Sequence, residues 1–134
     1  MAVKNLKSPH SIVWITEDMA MEPTLYVIAS CDRCRAAIRW LRAEGRPFLI
    51  HDIRQDGLDP QRLDAWLEHF GHEKLLNRNS TTWRNLDDHE KSAINQEAIR
   101  SLLLRYPTLI KRPILESSRG LTLGFDPIDY GRYL

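Results

Sequence analysis

A run of apolar residues, Tyr26-Val27-Ile28-Ala29, leads through Ser30 into Cys31-Asp32-Arg33-Cys34 and straight on into a helical pattern. A strand that feeds a helix through Cys-x-x-Cys restricts the chain to layered α/β architectures. It also places Cys31 where the backbone N–H groups of a helix's first turn are unpaired and carry partial positive charge. An anion is favoured there, and a thiolate is one. A free thiol titrates near ~8.5; the helix start, with Arg33 and Arg35 alongside, draws Cys31 down and makes it a nucleophile near neutral pH. Cys34 follows one helical turn later. At that spacing it can attack a disulfide formed on Cys31, or close an internal one with it.

Two other readings compete. Cysteine is among the most often buried residue types, so the pair could be core filler. Zinc is the other. His69-x-x-His72 is the paired histidine set among five His, but structural zinc sites place their ligand pairs about 12 to 20 residues apart with three to five residues inside the His pair. The gap from Cys34 to His69 is far longer and the His pair too tight, so His69 and His72 read as solvated residues near a helix end, and no metal is expected.

At 134 residues the chain is long enough for one domain with its own core. A net charge of +1 argues against general affinity for nucleic acid or acidic membranes. Both cysteines fall in one motif, which leaves no disulfide framework and points to a reducing compartment, the cytoplasm. Residues 1–21 differ from the rest: Ile12-Val13-Trp14-Ile15 is their one apolar patch, too short for a signal-peptide core. An ordered arm, a tail and a start codon placed too far upstream all remain open for them. The domain proper is taken as residues 22–134.

Within it, Leu25 to Ala29 reads as a strand buried on both faces. The helix from about Asp32 to Glu44 carries Cys34, Ala37, Ile38 and Leu41 at i, i+3, i+4 and i+7, with Gly45 as its stop. Phe48 to Ile53 reads as a second buried strand, completing a right-handed βαβ unit. Asp59-Pro60 caps and starts a helix whose stripe is Leu63, Trp66, Leu67 and Phe70, ended by Gly71. Trp66 belongs to the core on this spacing. Further helical stretches follow Asp87 and run from about Asn95 to Arg105, so residues 58–106 form a helical insertion. Arg112 to Glu116 and Leu121 to Phe125 form a β-hairpin around Ser117–Gly120, and Asp126-Pro127 starts a terminal helix. The order βαβ, helices, ββα gives an α/β protein with a four-stranded mixed sheet, the thioredoxin-like arrangement, with Cys-x-x-Cys where such folds keep their active site.

Six blocks carry a resemblance: Leu25-Tyr26 through Cys31, His51-Asp52-Ile53-Arg54-Gln55-Asp56-Gly57-Leu58, Leu75-Leu76-Asn77, Thr81-Thr82-Trp83-Arg84-Asn85-Leu86, Ile110-Lys111-Arg112-Pro113-Ile114-Leu115 and Leu123-Gly124-Phe125. In this order and spacing, across residues 24 to 130, the chain resembles the ArsC/Spx family, whose members include glutaredoxin-linked arsenate reductases. The Thr-Thr-Trp-Arg block and closing Leu-Gly-Phe look most like its branch of glutathione-dependent thiol reductases. That branch typically keeps the first Cys alone; in having Cys34 as well, the chain is more like Spx, a transcriptional regulator whose Cys-x-x-Cys is a redox switch.

The resemblance makes Cys31 the nucleophile and Arg112 the arginine just before the active-site proline. Arg84 falls where arsenate reductases bring up a further arginine, although the local motif differs. A guanidinium can hold an oxyanion or a glutathione carboxylate by two parallel hydrogen bonds. The resemblance also makes the bond before Pro113 cis, where the base rate for X–Pro bonds favours trans, and places Pro113 with Arg84 and Arg112 at the substrate. It implies a thiol-disulfide reductase with no resident cofactor, using glutathione as co-substrate or glutaredoxin as partner on a small oxyanion or disulfide. The alternative it implies is an Spx-like redox-switched module that contacts a protein such as RNA polymerase. A scaffold with inert cysteines is the third reading.

Overall fold

The computed structural model describes residues 22–93 and 95–134. The N-terminal arm of residues 1–21 lies outside the described residues. Four strands form one mixed sheet in the order β2-β1-β3-β4: β1 (Thr24–Val27), β2 (Leu49–Asp52), β3 (Ile114–Ser117) and β4 (Gly120–Leu123). β2 pairs with β1 in parallel, as α1 (Asp32–Ala43) crosses over between them; β3 and β4 are antiparallel to their neighbours. This is the thioredoxin-like α/β architecture expected from the order of elements.

Alternate residues of β1 face opposite sides of the sheet, and both sides are covered. Leu25 and Val27 pack with Cys34, Ala37 and Leu41 of α1 and with Tyr130 of the terminal helix α7 (Pro127–Tyr133). Tyr26 and Ile28 face the other layer. There Leu63 and Trp66 of α2 (Pro60–Phe70) and Ile99 and Leu103 of α6 (Gln96–Arg105) close over them. Double coverage is why the central strand reads as an unbroken apolar run. Trp66 is fully buried, and its indole N–H donates to Glu116 Oε2 at 2.9 Å.

The helix limits follow local chemistry. Asp59 accepts from the Gln61 N–H at 3.1 Å to cap α2. Gly71, at φ +82°, ends that helix in a conformation other residues rarely adopt, its N–H bonded to the Leu67 carbonyl at 2.9 Å. His69 is exposed in the last turn of α2, and His72 is half-buried. Among the described residues no three His, Cys, Asp or Glu side chains converge to hold a metal ion, and no helix is long and apolar enough to cross a membrane.

Three sequence expectations are corrected. β2 is shorter than Phe48–Ile53 and is not buried: among the described residues it forms the sheet edge, bonded to β1 alone, and Ile50 is 43% exposed. β1 ends at Val27 rather than Ala29, because the Ala29 N–H turns aside to the Asp52 carboxylate at 3.1 Å and the Cys31 N–H to the Ile28 carbonyl at 3.0 Å. The helical insertion is also more broken than its apolar pattern suggested. Between α2 and α6 it holds three one-turn helices, α3 (His72–Leu75), α4 (Thr81–Arg84) and α5 (Asp88–Lys91), too short to show a helical period.

Candidate active site

Cys31 is the residue that caps α1. Its backbone is extended, with φ −86° and ψ 123°, the conformation of a helix-capping residue, which sets its side chain beside the first-turn N–H groups. Cys34 is completely buried one turn on, packed among Leu25, Ala37 and Tyr130; Cys31 is half-exposed, and both are free thiols. Burial pushes the Cys31 thiol up, but the Cys34 N–H and thiol, the Arg112 charge and the Arg33 N–H all favour the thiolate. Together they hold Cys31 below the ordinary thiol value. Cys34 moves the opposite way. Burial, aided by its hydrogen bond to Cys31 and the charge there, pushes it up to about 12, against the Ile28 backbone and Arg112. The two sulfurs are thus driven apart into one thiolate and one thiol. Asp32, which would oppose a thiolate, is tied to the Arg35 guanidinium in an ion pair.

Arg112 comes from far along the chain, just before β3, the strand paired with β1, and the Arg112–Pro113 bond is cis. Its Nη1 donates to the carbonyls of Thr108 at 3.0 Å and Ile110 at 2.9 Å. Its Nε is buried with no hydrogen-bond partner among the described residues. A buried unpaired donor is costly. The edge formed by Nε and Nη2 is the side of a guanidinium that takes a carboxylate or oxyanion bidentately, and the same charge acts on both sulfurs.

The structure therefore brings Cys31, Cys34, Arg112 and Pro113 to one place. Arg84 is exposed and donates within its own helical turn to Thr81 Oγ1 at 3.2 Å. The block containing it touches the site through another residue: Thr82 Oγ1 shares a 2.6 Å hydrogen bond with Thr108 Oγ1, on the residue whose carbonyl anchors Arg112. Thr108 carries no sequence signal of this role.

Asp52 is a second residue that sequence reasoning did not single out. Its carboxylate accepts from the N–H groups of Ala29 at 3.1 Å, Arg54 at 2.9 Å and Gln55 at 3.0 Å, tying the end of β2 to the loop that presents Cys31. The signal was there: Asp followed by a polar turn is the pattern of a side chain that bonds the backbone two residues on. Burial raises its pKa, but the Gln55, Arg54 and Ala29 donors outweigh that and hold it below the ordinary carboxylate value. A lowered folded-state pKa stabilises the fold above the unfolded value, and that stabilisation is lost as pH falls through the folded one. Asp52→Asn is therefore expected to lower stability at pH 7 by about 1 kcal/mol, discounted for solvent screening. The gap from the parent closes in acid, below the ordinary carboxylate value near ~3.9. Urea unfolding across pH measures it; a gap of constant size down to acid would assign the loss to something other than the charge.

The model of the ArsC family matches residues 26–133. An uncharacterized protein of Haemophilus influenzae is 39% identical over 107 residues, 80% of this chain and 94% of that one. The global transcriptional regulator Spx of Bacillus subtilis is 27% identical over 83% of this chain and 86% of its own. Among solved structures, the YFFB (PA3664) protein superposes with a TM-score of 0.79 at 34% identity, over 84% of this chain and 98% of that one. An arsenate reductase (ArsC) related protein from Brucella melitensis gives 0.68 at 38% identity, over 85% and 95%.

Proposed function

This chain belongs to the ArsC family, and from that premise we propose that it is a glutathione-linked thiol-disulfide reductase of the cytoplasm, with Cys31 as nucleophile. The observation that supports this is the divided pair of sulfurs beside an arginine with an unpaired buried donor. The Cys31 thiolate attacks one sulfur of a disulfide; the Cys31–S bond forms as the old S–S bond breaks, and the other half leaves as thiolate. Arg112 offers its free edge to a carboxylate of glutathione or to an oxyanion, with Pro113 beside it. Arg84 is a weaker candidate for the same anion. Cys34 then loses its proton and attacks the Cys31 sulfur, releasing the bound thiol and leaving an internal disulfide. Two electrons from further glutathione, or from a glutaredoxin dithiol, restore both thiols. Glutathione serves as co-substrate, and the protein needs no resident cofactor.

The buried second cysteine supports one other reading. A Cys-x-x-Cys that closes and opens is also the working part of a redox-switched regulator like Spx, which would read oxidation out to a protein such as RNA polymerase. Exposure of the reduced protein to oxidised glutathione, followed by intact mass and peptide mapping, separates the two. The reductase reading expects a glutathione adduct that maps to Cys31 and proceeds to the internal disulfide. An internal disulfide formed by any oxidant, without a glutathione intermediate, would replace it with the switch. No reaction would leave the inert scaffold.

A further inference from the structure

Five arginines lie on α1 or just beyond it: Arg33, Arg35, Arg39, Arg42 and Arg46, against the two carboxylates Asp32 and Glu44. The whole chain carries a net charge of only +1, so positive charge is gathered on this element. Arg35, Arg39 and Arg42 follow one another at i, i+4 and i+7. They line a single stripe of the helix turned away from buried Cys34, Ala37 and Leu41. Arg46 extends it past Gly45, and all four side chains are exposed.

Apart from Arg35, the stripe is not neutralised by carboxylates among the described residues, and what distinguishes it is that its charges are gathered on one helix face. Arg62, Arg100 and Arg105 pair with Glu116, Asp64 and Glu90, and Arg35 with Asp32. Arg39, Arg42 and Arg46 make no ion pair among the described residues. Like charges at i, i+3 and i, i+4 weaken a helix, so the fold gains nothing from this spacing; an anionic surface laid along it would.

Length decides what kind of anion. With 1.5 Å of rise per residue, Arg39 stands about 12 Å and Arg42 about 16 Å along the axis from Cys31. An extended tripeptide spans at most about 11 Å, so glutathione joined to Cys31 cannot cover the stripe. A protein can. We propose that the outward face of α1 is the docking surface for a protein redox partner that carries carboxylates beside its own reactive disulfide or dithiol, so that charge pairing along α1 brings the partner's sulfur onto Cys31. This deepens the reductase reading and rests on it for the chemistry, although docking itself does not.

The test uses two synthetic peptides, each with one cysteine as its mixed disulfide with 5-thio-2-nitrobenzoate and a tail of about eight residues, enough to span the stripe. One tail is rich in Glu, the other has Gln in its place. Attack by the Cys31 thiolate on the peptide sulfur forms one S–S bond, breaks another and releases coloured nitrobenzoate thiolate. The Glu peptide is expected to react roughly tenfold faster than the Gln peptide at low salt, and the ratio to fall toward one at high salt. It should also fall toward one in Arg39→Glu/Arg42→Glu while the pH profile of Cys31 alkylation stays in place. Arg39→Gln/Arg42→Gln serves if charge reversal disturbs α1. An unchanged ratio in these variants overturns the proposal.

A second arm does not depend on the chemistry. A fluorescent, cysteine-free Glu peptide is titrated into Cys31→Ser protein with and without the arginine changes. Loss of binding with the arginines supports the surface even if Cys31 proves unreactive to both peptides, a result that would remove only the reductase reading. Equal binding with and without the arginines overturns the surface. An oligonucleotide of matched charge that binds more tightly than the Glu peptide through the same arginines overturns the protein partner in favour of nucleic acid.

Discussion

Cys34→Ser protein exposed to oxidised glutathione is expected to hold a glutathione adduct on Cys31, whereas Cys31→Ser protein forms none. The two sulfurs differ because Cys31 is held below the ordinary thiol value while Cys34 is pushed up to about 12. At pH 7 that leaves on the order of one Cys34 in 10⁵ ionised. Removal of Cys31 lifts two of the influences that raise Cys34, but burial, the largest, remains; Cys34 cannot make good the loss, and the rate of attack should drop by about 10²-fold or more. The reverse substitution acts later. Once Cys31 is in a mixed disulfide its negative charge is gone, and with it one of the influences raising Cys34. Cys34 can then ionise and attack a sulfur one turn away, a reaction favoured by proximity. Without Cys34, resolution waits for free thiol, and the adduct should persist on the order of 10²-fold longer. The pH dependence has a definite sign: attack quickens as pH rises through the lowered Cys31 value and levels off before the ordinary thiol value near ~8.5. Intact mass against time shows all of this. Equal residual reaction in the two variants would sink the division of roles.

Arg112→Met is expected to weaken binding of oxidised glutathione by roughly 10- to 100-fold, the loss of charge-assisted hydrogen bonds of about 1.5–3 kcal/mol. It should also move the alkylation profile of Cys31 to higher pH, since the Arg112 charge is one of the influences that favour the thiolate. Arg112→Lys separates the two effects. An ammonium restores positive charge, but it cannot bond both the Thr108 and Ile110 carbonyls and still present a planar fork. Lysine should therefore recover much of the alkylation profile and little of the binding. Thiol alkylation against pH, together with the concentration dependence of adduct formation, gives both readouts. Binding restored by lysine as fully as the profile would show that Arg112 acts as a charge alone.

Much of this protein was legible in its sequence, for a reason particular to each element. β1 was plain because both sheet faces are covered and every side chain must be apolar. α1 and α2 were plain because one face of each is buried, which imposes the helical period, and because Gly45, Gly71 and Asp59-Pro60 mark their ends. The second strand was misread because an apolar run does not say whether a strand is central or at an edge; among the described residues β2 is an edge strand, and Ile50 is exposed. The one-turn helices of the insertion left no period to detect.

Sequence alone determined the nucleophile candidate. A cysteine at a helix start, one turn from another, has part of its chemistry set by the N–H groups of that first turn; the guanidinium that favours the thiolate is that of Arg112, where the sequence pointed to the charges of Arg33 and Arg35. Tertiary structure decided the rest, because the remaining groups lie far apart in the chain. Arg112 acts on Cys31 only because β3 runs beside β1, and its guanidinium is oriented by carbonyls at Thr108 and Ile110. Asp52 holds the Cys31 loop only because β2 lies parallel to β1. The contrast between the two thiols comes from burial of Cys34 against Tyr130 and the sheet. Charge, hydrogen bonding and desolvation act over a few ångströms of space, and only the packed fold fixes which residues share that distance.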